Sequence, residues 1–187
     1  MPLPISALEC LAHPQSVSDI HAVLRRLQSV IMVNKTTPQI YHKSFFDFLT
    51  TASHCTEEDL FIDLRVHHTR MATRCFQIMN KNLKRNILNL GDPARFMDNA
   101  EALTTQGISE EQLLEKIPAE LRYACVYWVY HVEGADAEDS DLVKECGAFA
   151  SEHLLHWLET LSLVGKLDIA HRALHNVPKL LVTQALL

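Results

Sequence analysis

Apolar residues along the chain recur mostly at helical spacing. Ile5–Leu11 is a short apolar stretch that predicts a single helix, with Pro14 as its breaker. Ser16 stands three residues before Asp19, a capping pattern. After it Val17, Ile20, Val23, Leu24, Leu27 and Ile31 share one helical face, with Arg25 and Arg26 off that face. The β-branched run Val30–Val33 predicts a change to strand. Asn34–Pro38 is turn chemistry, and Gln39–His42 predicts a returning strand. Ser44 and Asp47 form a second capping pattern, ahead of a helix filled by Phe45, Phe46, Phe48 and Leu49.

Beyond Thr50 the pattern holds no convincing strand pair. Thr50–Leu64 reads as a polar connector. A helix is expected over Val66–Leu83, burying Ala72, Cys75, Phe76, Met79 and Leu83, and Gly91–Pro93 as a stop. Ser109–Ile117 predicts a short helix. Pro118–Val132 predicts a longer one, with Leu121, Ala124, Cys125, Trp128, Val129 and Val132 inward. An acidic loop, Gly134–Asp141, separates it from a helix over Leu142–Val164, where Gly165 fits the position after the C-terminus. Leu167–Asn176 is a further helix, broken by Pro178. The expected fold is mainly α. Residues 1–50 form a small, partial winged-helix domain whose wing is the β-hairpin, and 51–187 form an antiparallel helical bundle.

Composition narrows the classes of function. The chain has 187 residues, 48% of them apolar and 21% charged, with a net charge of −6. That balance disfavours non-specific nucleic-acid binding, which needs a basic footprint. A winged-helix DNA reader would use Val17–Leu27, where Arg25 and Arg26 are offset by Asp19. The five cysteines are scattered and form no C-x-x-C pair, so they read as buried thiols in a reducing compartment. The first twelve residues lack a basic n-region, and no apolar run reaches the roughly 20 residues of a membrane span. A cytoplasmic protein with no membrane partner is expected.

Several catalytic signatures are missing from these 187 residues. There is no G-x-x-x-x-G-K-[ST] phosphate loop; the one Gly-Lys pair, Gly165–Lys166, lacks its flanking residues. With five glycines there is no dinucleotide fingerprint, and neither G-x-S-x-G nor H-E-x-x-H occurs. No enzyme is expected. His153 with His156 and His171 with His175 have chelate spacing, yet no cysteine or acidic cluster completes a metal site, so none is expected. The adjacent His67 and His68 and the tryptophans Trp128 and Trp157 read as structural. Arg65–Asn89 carries six basic residues and no acid, which reads as a solvated face or as a surface for an acidic partner or phosphate. His42, between a strand and a capped helix, is placed for a definite contact. Read alone, it is a packed histidine first.

The string Tyr41-His42-Lys43-Ser44-Phe45-Phe46-Asp47-Phe48-Leu49 resembles the H-x-S-F-x-[DE]-[FY] signature in the winged-helix domain of NACHT-type STAND NTPases, which include nucleotide-binding innate-immune receptors of the NOD-like type. Further strings resemble the fungal branch of that group. They are Phe61–Asp63, Val66–Thr69, Arg74-Cys75, Met79-Asn80, Leu83–Ile87, Leu121–Cys125, Tyr127-Trp128 and His153–Glu159. The resemblance covers nearly the whole chain. It implies a signal-transduction module in which His42 approaches the β-phosphate of bound ADP and latches the inactive state. It also implies that the phosphate loop and Mg²⁺-binding acids belong to an NTPase domain outside this chain, reached in cis or in trans. The chain by itself would then need no cofactor, and ADP or ATP would enter only together with that domain. The alternative is a stand-alone protein–protein interaction scaffold or decoy without nucleotide dependence.

Overall fold

The structure is a computed structural model that describes residues 3–12, 20–57, 59–91, 103–105 and 107–175. It is mainly α-helical, with one antiparallel β-hairpin followed by helices. The chain divides into two compact units, Met1–His67 and His68–Leu187. The expected cap at Ser16, the breakers Pro14 and Pro178, and most of the stop at Gly91–Pro93 lie outside the described residues.

In the first unit, α1 spans Ile5–Leu11, as its apolar spacing predicts, and buries Ile5, Ala7 and Leu11. Helix α2 spans Ile20–Arg26 and buries no residue completely. Its apolar stripe is half-buried at Ile20, Leu24 and Leu27, whereas Val23 is exposed. The hairpin differs from expectation in its bounds. Strands β1 (Ile31–Asn34) and β2 (Thr37–Ile40) pair Ile31 with Ile40 and Asn34 with Thr37. The turn therefore contracts from Asn34–Pro38 to Lys35–Thr36. Lys35 adopts φ 58°, and a positive φ is what a two-residue hairpin loop requires. Pro38 is tolerated because in a two-stranded ribbon a missing N–H can face outward. The loop is tied down, since the Ile5 N–H donates to the Thr36 carbonyl at 2.9 Å.

Helix α3 (Lys43–Thr50) follows β2, and here the expected cap is wrong. Ser44 lies inside the helix, and the N-cap is His42. An imidazole nitrogen serves as well as a hydroxyl oxygen, because the orphan N–H needs only an acceptor lone pair at the right distance.

Helix α4 (Leu64–Asn82), most of it in the second unit, buries Ala72, Cys75, Phe76, Ile78 and Met79 on one side. Helix α5 (Glu110–Lys116) opens with a full capping box. The Ser109 hydroxyl accepts from the Gln112 N–H, and the Gln112 side chain accepts from the Ser109 N–H. Helix α6 (Ala119–Gly134) starts after Pro118 and buries Leu121, Ala124, Cys125, Trp128, Val129 and Val132. Residues 168–175 form the last described helical stretch.

The expected uninterrupted helix over Leu142–Val164 is three elements. Helix α7 (Ser140–Ala148) is capped by Asp139, a π-helical turn covers Phe149–His153, and α8 covers Leu154–Leu163. Gly165, at φ 66°, takes the left-handed position past the end, as expected. The π turn has a geometric reason. Leu142, Cys146 and Phe149 lie on one face, and so do Trp157 and Leu161. In a straight α-helix Phe149 and Trp157 would be rotated apart by about 80°. One π turn holds about one extra residue, which rotates the second stripe back by about 100° and leaves both stripes facing the core.

That core is aromatic. Phe76, Trp128, Phe149 and Trp157 are all fully buried, and each ring touches at least two of the others at centroid distances of 5.1–5.9 Å. Trp157 Nε1 also donates to the Cys125 carbonyl at 2.9 Å, joining α8 to α6 inside the core. Replacing Trp157 with Phe keeps an aromatic ring but removes that bond and leaves a void. Trp157→Phe is expected to cost about 1–3 kcal/mol in urea unfolding; a loss below about 0.5 kcal/mol would mean the bond contributes little.

Candidate functional site

His42 sits where β2 ends and α3 begins, in extended backbone at φ −142° and ψ 139°. Its Nδ1 accepts from the Ser44 N–H at 3.1 Å, and the Ser44 hydroxyl lies 2.8 Å from the same nitrogen. An Nδ1 that accepts a hydrogen bond carries no hydrogen, so in the neutral ring the hydrogen is on Nε2. The cap thus fixes the tautomer and leaves Nε2 as a donor on an exposed side chain. Lys43 beside it is exposed and lies 3.9 Å from Asp47, one turn along.

The surroundings of His42 are apolar without being buried. Ile40, Tyr41, Phe46 and Phe48 are all exposed, Tyr41 by 59%, while Phe45 and Leu49 are only half-buried. Leu60, Phe61, Ile62, Leu64 and Val66 of the same unit are exposed as well. Among its described residues the unit fully buries only Leu3, Ile5, Ala7, Leu11 and Cys55. Aromatic side chains around an exposed polar tip are what a docking surface uses, and contiguous exposed apolar area is uncommon on a monomer's surface.

The other candidates lie elsewhere. The rings of His153 and His156 are 5.7 Å apart, each with a buried Nδ1 that has no hydrogen-bond partner, while His171 and His175 are exposed. Among the described residues no group of three or more His, Cys, Asp or Glu is arranged to hold a metal ion. Trp128 and Trp157 are core residues, as expected. His67 is exposed, and no helix of the described residues is long and apolar enough to cross a membrane.

Reading by spacing missed a polar chain in the second unit. His68 Nδ1 lies 3.1 Å from Nδ1 of the buried His131, whose Nε2 lies 2.7 Å from the Tyr123 hydroxyl. One Nδ1 donates and the other accepts, so the pair holds one hydrogen between them. Gly134 makes room for it: a Cβ there would stand 2.9 Å from the His68 ring. Two carboxylates serve as fasteners. Glu159 accepts from the N–H groups of Asn86 and Ile87, and Glu145 accepts from the Asn80 amide. Asn80, Asn86 and Glu159 occur in the family-like strings, which were the only sequence signal for these contacts.

Cys10 is exposed, against the expectation that all five cysteines would be buried, whereas burial makes Cys75, Cys125 and Cys146 unreactive. Desolvation pushes Cys75 up to about 12 and Cys146 up to about 11, and raises Cys125 as well. Burial, and then the neighbouring Cys75, Tyr127 and Tyr130, push the Tyr123 phenol up to about 12.

No family model and no solved structure matches the chain. Among curated proteins, the chain is 24% identical over 202 residues to the vegetative incompatibility protein HET-E-1 of Podospora anserina. The match covers 96% of this chain and 14% of that protein's length.

Two substitution and titration experiments follow from this packing. Gly134→Ala forces the His68 ring or the end of α6 to move, and should cost about 1–3 kcal/mol; a neutral result would show that the ring shifts freely. A thiol whose folded value is raised stabilises the fold fully below its ordinary value of 9.0 and loses that contribution as pH climbs through the folded value. Stability should therefore hold to about pH 9 and fall above it, by about 1.4 kcal/mol per pH unit for each of Cys75, Cys125 and Cys146 until its own folded value is passed. Cys75→Ala should flatten this slope. An unchanged slope would remove Cys75 from the account.

Proposed function

We infer that this chain is a non-catalytic regulatory module resembling the C-terminal part of a fungal NACHT-type STAND switch. Residues 1–50 act as a partial winged helix that senses ADP held by an NTPase domain outside this chain, and the helices of 51–187 transmit that state. The observation that carries the reading is the exposed His42, with its tautomer set by its own cap and with exposed apolar side chains at Ile40, Tyr41, Phe46 and Phe48 on either side of it along the chain. The rim suits docking against another domain. A phosphate brought to this point would meet the Nε2 hydrogen, the N-terminus of α3 and the Lys43 ammonium. The family-like strings, and the similarity of 96% of this chain to 14% of a fungal incompatibility protein, support the same assignment.

Absent nucleotide chemistry is assigned to the outside domain alone. From this chain His42 contributes a hydrogen-bond donor and the apolar rim excludes water around it. A stand-alone scaffold or decoy would use the same rim without nucleotide, and it predicts a partner that binds equally well with or without ADP.

Two variants separate a sensing role from a capping one. His42→Ala removes both the cap and the donor. His42→Asn keeps a good N-cap residue but removes the distal nitrogen. With the matching NTPase domain supplied in a verified complex, both variants should bind ADP about ten- to hundredfold more weakly, the loss of one hydrogen bond to a charged group. Unchanged ADP affinity in His42→Asn would sink the sensor role while leaving the scaffold reading intact.

A further inference from the structure

Charge is segregated along this chain. Residues 68–90 hold five of its 17 basic residues and none of its 23 acidic ones, which leaves the rest of the chain at −11. Within α4, Arg70, Arg74, Gln77 and Lys81 recur at intervals of four, three and four, and so share one helical face. Lys84 and Arg85 follow just beyond the helix end. The opposite face carries Ala72, Cys75, Phe76 and Met79 into the core, so the basic stripe cannot turn inward.

Two acids that bond to this segment are already engaged. Glu145 is held by the Asn80 amide and Glu159 by the backbone at Asn86 and Ile87. Arg74 donates to Gln77 at 3.2 Å. Among the described residues no ion pair joins Arg70, Lys81, Lys84 or Arg85 to a carboxylate, and all four are exposed. Lys81 and its neighbours favour the negative end of the α4 dipole, but that accounts for charge only in the last turn and not for Arg70, three turns away.

We propose that this stripe is a docking surface for a short acidic protein segment. Charge complementarity selects an anion, and size selects the kind. Arg70 to Lys81 spans about 16 Å at 1.5 Å per residue, the length of about five residues of extended chain. A duplex or a membrane surface is larger than the stripe, and the net charge of −11 on the rest of the chain disfavours both. The one Phe, Tyr or Trp between Arg70 and Arg85 is Phe76, which is buried in the core and cannot stack a base as single-stranded nucleic acid would need. A short run of Asp and Glu stays within the stripe. The surface lies in the second unit and does not depend on the role assigned to His42.

The test uses the full chain and a fluorescein-labelled peptide of ten glutamates, followed by anisotropy at 50, 150 and 300 mM salt. Lys81→Glu/Arg85→Glu should weaken binding at least tenfold. Lys116→Glu/Lys166→Glu, which changes the net charge equally, should weaken it less than twofold. Affinity should fall steadily with salt. Lys81→Gln/Arg85→Gln, which only neutralises, carries the comparison should the charge reversal unfold the helix. Equal losses in the two Glu pairs, or no binding to the unaltered chain at 50 mM salt, would overturn the proposal. So would tighter binding of a 20-base-pair duplex or of phosphatidylserine vesicles than of the peptide. Salt-sensitive self-association abolished by Lys81→Glu/Arg85→Glu would instead give the surface to a second copy of the chain.

Discussion

The contact on which the second unit depends is the meeting of four aromatic rings, Phe76, Trp128, Phe149 and Trp157, drawn from α4, α6, the π turn and α8. Each offset or edge-on pair adds about 0.5–1.5 kcal/mol beyond the area it buries. The cluster also sets the geometry of everything around it. Phe149 and Trp157 can both reach it only because the helix carrying them takes up an extra residue between them. The π turn is therefore a consequence of core packing. Ser151 helps accommodate it, since its hydroxyl donates to the carbonyls of Gly147 and Ala148. Trp157 then closes the assembly with its hydrogen bond to Cys125, a polar link that would cost energy if left unmade at this depth.

Much of this was legible in the sequence, and the misses share a cause. The inward faces of α4 and α6 follow directly from their apolar spacing, because a residue three or four positions on from a buried one is also buried. Gly165 was legible because few residues other than Gly take a left-handed position cheaply. The π turn was not, because Phe149–His153 reads as helix in any register and only the partner rings decide which register holds. The two-residue hairpin loop was hidden because Lys35 is an ordinary residue at a positive φ. The cap at His42 was hidden by Ser44, a better capping residue by type, two positions along. In each case a contact distant in sequence or an unusual donor pairing overrode a sound local preference.

The strings that resemble those of fungal NACHT-type proteins divide by physical environment. In the second unit they are fastenings. Asn86 sits at φ 53° and exchanges two hydrogen bonds with the backbone of Leu90, while Glu159 holds the turn's N–H groups from α8. Asn80 and Trp157 tie neighbouring helices in the same way. Replacing any of these would be felt as lost stability. The string at 41–49 is different. It leaves Tyr41, His42, Phe46 and Phe48 in solvent, where they hold little of the unit together. Of these, His42 alone has a stated structural task, the cap on α3.

The two exposed surfaces work by different physics. The rim around His42 is apolar, so binding there draws on removal of area from water, which salt does little to weaken. The stripe on α4 carries the exposed cations of Arg70 and Lys81, whose attraction fades beyond about 8 Å at physiological ionic strength. A partner held at such a rim would be insensitive to salt. An acidic segment held at the stripe exchanges readily and responds to charge. One molecule carrying both can keep a steady neighbour at one unit while sampling a transient one at the other, and raising the salt concentration should loosen the second association while leaving the first in place.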